Sequence, residues 1–202
     1  MDVVVPTYLP NVSFFAWLLQ REKVKFIDTT HYQKQTYRNR TEIYGANGKL
    51  ILTIPIIHTK TQAHQKEREV AISYAADWQK QHWKSLYAAY RSSPFFEFYE
   101  ADFYPFYHEK TTHLLAFNLA LIQKIYTLLD FTLDCETVDF DPNIHHRKDT
   151  LLYAKNTDPV TQASYTQVFD KKYGFLSNLS IVDALFNLGP NCATYLKNAK
   201  FE

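Results

Sequence analysis

Glycine and cysteine are scarce in this chain, and neither sign of charge dominates it. Four glycines in 202 residues leave no glycine-rich phosphate loop. Neither GxxxxGK[ST], GxGxxG nor GxSxG occurs, which excludes nucleotide sites and serine-hydrolase elbows of those kinds. The two cysteines, Cys135 and Cys192, form no CxxC pair and no disulfide framework, and no second ligand cluster suggests structural zinc; they read as reduced thiols. Lys plus Arg (22) almost cancels Asp plus Glu (21), so the broad basic field of a protein devoted to nucleic acid is missing. Long apolar runs are missing too. The most apolar stretch, His113 to Leu133, is interrupted by Asn118, Gln123, Lys124 and Asp130, which would be costly at mid-bilayer. It reads as a buried helix, and no membrane insertion is expected. The opening MDVVVPTYLP has no basic segment followed by a long apolar one, so the cytoplasm is the expected location.

What is abundant is aromatic: 15 Phe, 15 Tyr and 3 Trp, enough to fill a core while polar ring tips line a wet pocket. The length suits one hydrophobic core, and a single domain over residues 1–202 is expected. The β-branched run Val3 to Val5, the helix-like apolar face of Asn11 to Arg21 and the β-favouring Val24 to Ile27 suggest a βαβ unit. Arg40 to Tyr44 and Leu50 to Ile57 flank Ala46-Asn47-Gly48, a tight hairpin turn with its positive φ angles at Asn-Gly. The polar run Thr59 to Arg68 reads as an exposed loop or lid. Asp77 is placed to cap a helix carrying Trp78 and His82 on one stripe and ending near Ser92 to Pro94. Phe95 to His108 holds another helix before Pro105, and Thr111 to Leu129 reads as a central core helix. From Leu133 to Lys172 only short β-like pieces and turns at Asp141-Pro142 and Asp158-Pro159 are legible. A last helix runs from about Asn178 to Leu188, stopped by Gly189-Pro190, and a short one follows through Tyr195. The fold class is α+β, a mixed αβ fold. Its N-terminal βαβ unit and hairpin form a small sheet, covered by several helices.

The densest polar cluster is HYQKQTYRNR, which sets His31, Lys34, Arg38 and Arg40 beside Tyr32, Tyr37 and Asn39. Guanidinium forks suit phosphate or carboxylate; a solvated basic edge strand explains the same residues. In DWQKQHW, Trp78 and His82 share a helical face, either as an acid, base or donor or as a satisfied, half-buried histidine. Ser180 and Asp183 stand at capping-box spacing, and Asp183 and Asn187 share one side of their helix. The Asp139 to Asp141 triplet is an ordinary turn before Pro142 more readily than a metal site. His145-His146 has no partners at a ligand spacing. No metal is expected, and no motif names a cofactor.

Five segments together resemble the WbqC-like family in its Bacteroidetes form: PTYLPNVSFFAWL, HYQKQTYRNR, NGKLILTIPI, DWQKQHWKSLYAAYRSSPFFEFYE and FLSNLSIVDALFNLGP. The family opening often carries Gln-Pro where this chain has Val5-Pro6, and an acidic pair where it has Asp28-Thr29. The resemblance implies a part in bacterial surface-polysaccharide synthesis, in O-antigen or capsule. The expected role is a cytoplasmic transferase acting on an activated sugar or its acyl substituent. On the matching blocks, His82, Asp183 and His31 are the catalytic candidates, and Tyr32, Arg38, Asn39, Arg40, Trp78, Tyr90 and Asn187 the substrate-binding ones. The expected partner is a small-molecule activated donor or sugar. A non-catalytic scaffold for a glycan-biosynthesis enzyme is the alternative. Stacking of single-stranded nucleic acid on the Tyr and Arg of residues 32–44 is disfavoured by the near-neutral charge.

Overall fold

Alternation along the first strand explains how the sheet sits. In the computed structural model, which describes residues 1–57, 65–133, 136–153 and 160–201, β1 (Asp2–Val4) is followed by α1 (Val12–Leu19) and β2 (Val24–Ile27). Val4 faces the larger core with Val24 and Phe26, whereas Val3, Val5 and Ile27 meet Leu152 in a smaller cluster on the other face. Side chains two apart share a face, and a strand buried on both faces reads as the unbroken Val3-Val4-Val5 run. Burial on both faces is the rule for parallel sheets. β1 and β2 are indeed parallel, so the expected βαβ unit is present. The Asn11 side chain accepts a hydrogen bond from Phe14 N (2.9 Å) and starts the crossover helix.

β3 (Arg40–Gly45) and β4 (Gly48–Thr53) form the hairpin as their own two-stranded sheet. Gly45 pairs with Gly48, so the turn centres on Ala46-Asn47, one residue earlier than expected. Gly48, at φ 98°, alone in the turn takes the left-handed region that glycine supplies without steric cost.

Four helices follow or close the core: α2 (Trp78–Tyr90), α3 (Phe96–His108), α4 (Leu114–Leu128) and, near the C-terminus, the helix of Ile181–Leu188. α4 buries Leu114, Phe117, Asn118, Leu121, Ile122, Ile125 and Tyr126, the three-and-four spacing of a helix with one apolar stripe. α3 does not stop before Pro105. The proline removes one backbone donor, but Phe103 and Tyr107 bury on either side of it. Gln79 Nε2 donates to the terminal carbonyls of Phe106 (2.9 Å) and Glu109 (2.6 Å), satisfying acceptors that a helix end leaves open. Asp77 immediately precedes α2 at its N-cap, but its side chain makes no capping hydrogen bond.

The weakly patterned stretch supplies β5 (Thr137–Val138), β6 (His146–Arg147), β7 (Val160–Thr161) and the short α5 (Asp170–Tyr173). α6 (Ile181–Leu188), α7 (Cys192–Lys197) and β8 (Lys200–Phe201) complete the chain order. β5 and β6 extend the parallel sheet to the order β5-β2-β1-β6, and β7 pairs with β8. The Asp141 turn is present, with Asp141 Oδ1 accepting from Asn143 N at 2.8 Å. The Asp158-Pro159 turn and most of the polar run after residue 57 lie outside the described residues. The end of that run is not exposed loop: Glu67–Glu69 forms a 3-10 turn in which Glu67 is buried. No helix among the described residues is long and apolar enough to cross a membrane.

Phe186 on α6 is the hub that holds the helices together. Its ring lies 5.2 to 5.4 Å from those of Tyr90, Phe96 and Phe103, edge-on in each case, the arrangement that aromatic quadrupoles prefer.

Candidate functional site

Residues 31–39 do not form a basic edge strand; only Arg40 enters one. The segment crosses from β2 to β3 as irregular backbone, with Gln35 in the left-handed region at φ 60°, and it turns Thr36, Tyr37 and Arg38 inward. Arg38 Nε donates to Glu67 Oε1, and its Nη1 donates to Thr36 Oγ1 at 3.2 Å. Both partners of this salt bridge are almost wholly buried, at 3% and 4% exposed. Burial pushes the Glu67 carboxyl up, and the facing guanidinium opposes that shift. A carboxylate here is tolerable only because an arginine stands against it.

Over this buried pair lies an open cleft of about 240 Å³, walled by Tyr32, Lys34, Gln35, Asn39, Arg40, Thr53 and Ile56. Asn39 Nδ2 is fixed by the Ile54 carbonyl (2.8 Å), and Arg40 Nη2 by the Gln35 carbonyl (2.6 Å). Burial, with Glu67 nearby, pushes the Tyr32 hydroxyl up to about 12 despite Arg38 and Arg40. His31 is exposed at the rim, where its backbone bridges that of Lys66.

Beneath the cleft, His82 is 5% exposed. Its Nδ1 meets the Tyr8 hydroxyl at 2.9 Å, and Tyr8 in turn meets the Tyr107 hydroxyl at 2.9 Å. The imidazole also donates to the backbone of Thr53, in the cleft wall, and burial lowers its pKa to about 4. With the ring proton given to Thr53, Nδ1 accepts from Tyr8, and Tyr107 donates to Tyr8. His82 is therefore a neutral, fully partnered histidine. Trp78, 2% exposed, sits edge-on to it at 5.1 Å. The structure thus gathers Tyr32, Arg38, Asn39 and Arg40 at one place, with His31 at the rim and His82 and Trp78 below.

Asp183 and Asn187 on α6, with Tyr90 at the end of α2, belong to a separate cluster. Asp183 is wholly buried, and its Oδ2 accepts from Tyr165 OH (2.6 Å) and Gln167 Nε2 (2.7 Å). Burial raises its pKa, and those two donors together with the Tyr90 hydroxyl oppose the shift. The capping-box expectation fails here. The Ser180 hydroxyl leaves the helix to donate to the Leu9 carbonyl (3.0 Å), while Asp183 turns to the 165–176 segment. Asn187 Nδ2 donates to the Asp183 carbonyl at 2.8 Å. The buried Tyr90 hydroxyl accepts from Tyr44 N at 3.1 Å. Among the described residues, no group of three or more His, Cys, Asp or Glu is placed to hold a metal.

Two members of the first cluster escaped the sequence reading. Glu67 sits inside a polar run, with nothing local to mark it as buried. Asn118 donates from Nδ2 to the carbonyls of Arg38 (2.8 Å) and Pro6 (3.4 Å). Its signal was present, an amide on the apolar stripe of α4.

A parallel sheet with a small polar cleft near its carboxyl edge, framed by helices, defines an α+β protein. The WbqC-like protein family model matches residues 6–156, about three quarters of the chain, and the chain belongs to that family. It is also similar to the uncharacterized protein Rv1507c of Mycobacterium tuberculosis, 26% identical, with 96% of each chain covered. No solved structure matches it.

Proposed function

We propose that the chain is a single WbqC-like domain over residues 1–202, working in the cytoplasm in bacterial surface-polysaccharide biosynthesis. It is a transferase that holds the anionic end of an activated donor in the cleft and moves the sugar or its acyl substituent. The observation that carries this reading is the pairing of charges. Arg38 is neutralised by Glu67, whereas Lys34 and Arg40 in the cleft wall are ion-paired with no carboxylate among the described residues. Two cations beside Tyr32 and Asn39, on backbone stiffened by a buried salt bridge, suit a phosphate or carboxylate. In this reading Arg38 sets the course of the 36–40 backbone, and His31, exposed at the rim, moves a proton. His82, Trp78, Tyr90, Asp183 and Asn187 act as positioning residues.

The test is isothermal titration and thermal shift against UDP, inorganic pyrophosphate, an acyl-coenzyme A thioester and a short oligonucleotide. A ligand at 100 times its Kd stabilises by about 2.7 kcal/mol. Binding of one anion class, weakened at least about tenfold by Arg40→Ala, supports the reading. Binding of none, or binding indifferent to Arg40→Ala, overturns it.

A scaffold for a glycan-biosynthesis enzyme has its own support. Phe98 is 75% exposed, with Tyr87 and Tyr104 nearly half so, and a groove of about 490 Å³ runs beside Trp83, Tyr87 and Ala88. Exposed aromatics are enriched at partner surfaces. Copurification of a biosynthetic enzyme with the wild type but not with Tyr87→Asp, in the wall of that groove, would favour that role.

A further inference from the structure

α2 turns toward solvent a face that no element among the described residues covers. Lys80, Lys84, Tyr87, Ala88 and, just past its last turn, Arg91 are exposed along it, and helical periodicity sets these positions in one arc. Rows of residues four apart are the ridges between which a second helix packs, and three such rows lie side by side here. The middle row, Lys84 and Ala88, lines two hollows at once. On the side of Trp83 and Tyr87, a hollow of about 490 Å³ opens toward Glu100 of α3. On the side of Ser85 and Ala89, a second of about 320 Å³ opens toward Gly45, Ala46 and Leu50 of the hairpin. The ridge between them is lowest at Ala88, whose methyl group lets another backbone approach.

The aromatic wall is set in advance. Trp83 stacks on Tyr107 at 5.6 Å and meets Tyr104 edge-on at 5.8 Å, and Tyr87 is edge-on to Phe96 at 5.7 Å. Rings already held by neighbours lose little freedom when a partner covers them.

Charge selects the occupant. α2 contains no Asp or Glu, and none of Lys80, Lys84 and Arg91 is in an ion pair among the described residues. At the hairpin end, Lys172 Nζ donates to the Ala46 carbonyl (3.2 Å) and adds a further cation. Against these, the two hollows hold one carboxylate, Glu100. A second copy of the chain meeting this face about a two-fold axis would set the same cations against themselves. An amphipathic helix with an acidic flank complements both the hollows and the charge. We propose that this face of α2 docks an acidic amphipathic helix of another protein, with an apolar side chain in each hollow and carboxylates against Lys84 and Arg91. This deepens the scaffold reading and rests on it only for which protein carries the helix.

The test is selection from a display library of helix-favouring peptides of about 14 residues on the wild type, with counter-selection on Tyr87→Asp. Tyr87 is 41% exposed, so this variant is expected to melt as the wild type does. Surviving peptides should carry Leu or Phe three or four positions apart, with an excess of Asp and Glu. Their binding should weaken with added salt and be at least about tenfold weaker to the double variant Lys84→Glu, Arg91→Glu. Selection on that double variant should yield basic peptides instead. No survivors, or survivors that are uncharged or basic, would overturn the acidic helix. A dimer in sedimentation velocity that Tyr87→Asp dissociates overturns it in favour of a second copy. Acidic survivors with no biosynthetic enzyme copurifying support the docking face and overturn the scaffold reading alone.

Discussion

The Glu67 and Asp183 neighbourhoods each bury a carboxyl, and they solve the problem differently. Glu67 is met by a guanidinium, so a charge persists under the surface and an open cleft lies beside it. Asp183 is met by neutral donors, Tyr165 and Gln167, with the Tyr90 hydroxyl beside them. The first arrangement organises a region that presents further cations to solvent. The second ties the 165–176 segment onto α6. A buried carboxyl by itself therefore says little about chemistry; what neutralises it, and what lies alongside, says more.

That contrast is sharpest under truncation. Arg38→Ala strands a buried carboxylate, and a loss of about 3–5 kcal/mol is expected in urea unfolding. Replacing both partners by Arg38→Met and Glu67→Leu should return most of it. If the double variant is as unstable as the single one, the charge is not what matters there. His82 provides a pH test. Its pKa in the fold, about 4, is below the unfolded value of about 6.5, so the unfolded chain binds the proton more tightly. Stability from neutral His82 is complete above about pH 6.5 and falls as the pH drops toward 4, by ~3 kcal/mol in total. His82→Gln should flatten that part of the profile in thermal melts recorded from pH 7 to 4.

At the second carboxyl, Asp183→Ala should cost about 2–3 kcal/mol by leaving two buried donors unmet. Asp183→Asn keeps an acceptor for both and should stay within about 1 kcal/mol of the wild type. An asparagine as damaging as alanine would mean that the negative charge itself is required, making the two neighbourhoods alike. The smallest change is Tyr165→Phe, about 1 kcal/mol for one hydrogen bond, read as faster proteolysis within residues 165–176.

The βαβ unit and the hairpin were legible because their signals are local: a β-branched run, helical periodicity and an Asn-Gly turn. Pro105 misled because the burial of Phe103 and Tyr107 outweighs a local preference. The strands of the 133–172 region are two residues long, too short for a period-two pattern to declare itself. In the site, the basic segment stood out by density, and the cleft does draw Tyr32, Asn39 and Arg40 from it. Which arginine turns inward was not legible, since that depends on Glu67, 29 positions away. Nor could spacing separate a capping aspartate from one reaching to Tyr165 across 18 positions.

The pairing of Asp2 with His146 has a consequence during synthesis. A ribosome adding roughly 5–20 residues per second would need about 7–30 s to make the intervening chain. Throughout that time β1 has no neighbour on one side, and Val3-Val4-Val5 presents an open, apolar strand edge of the kind that recruits other chains. Nascent chains released before residue 147 should therefore be the aggregating species, while full-length protein stays dispersed.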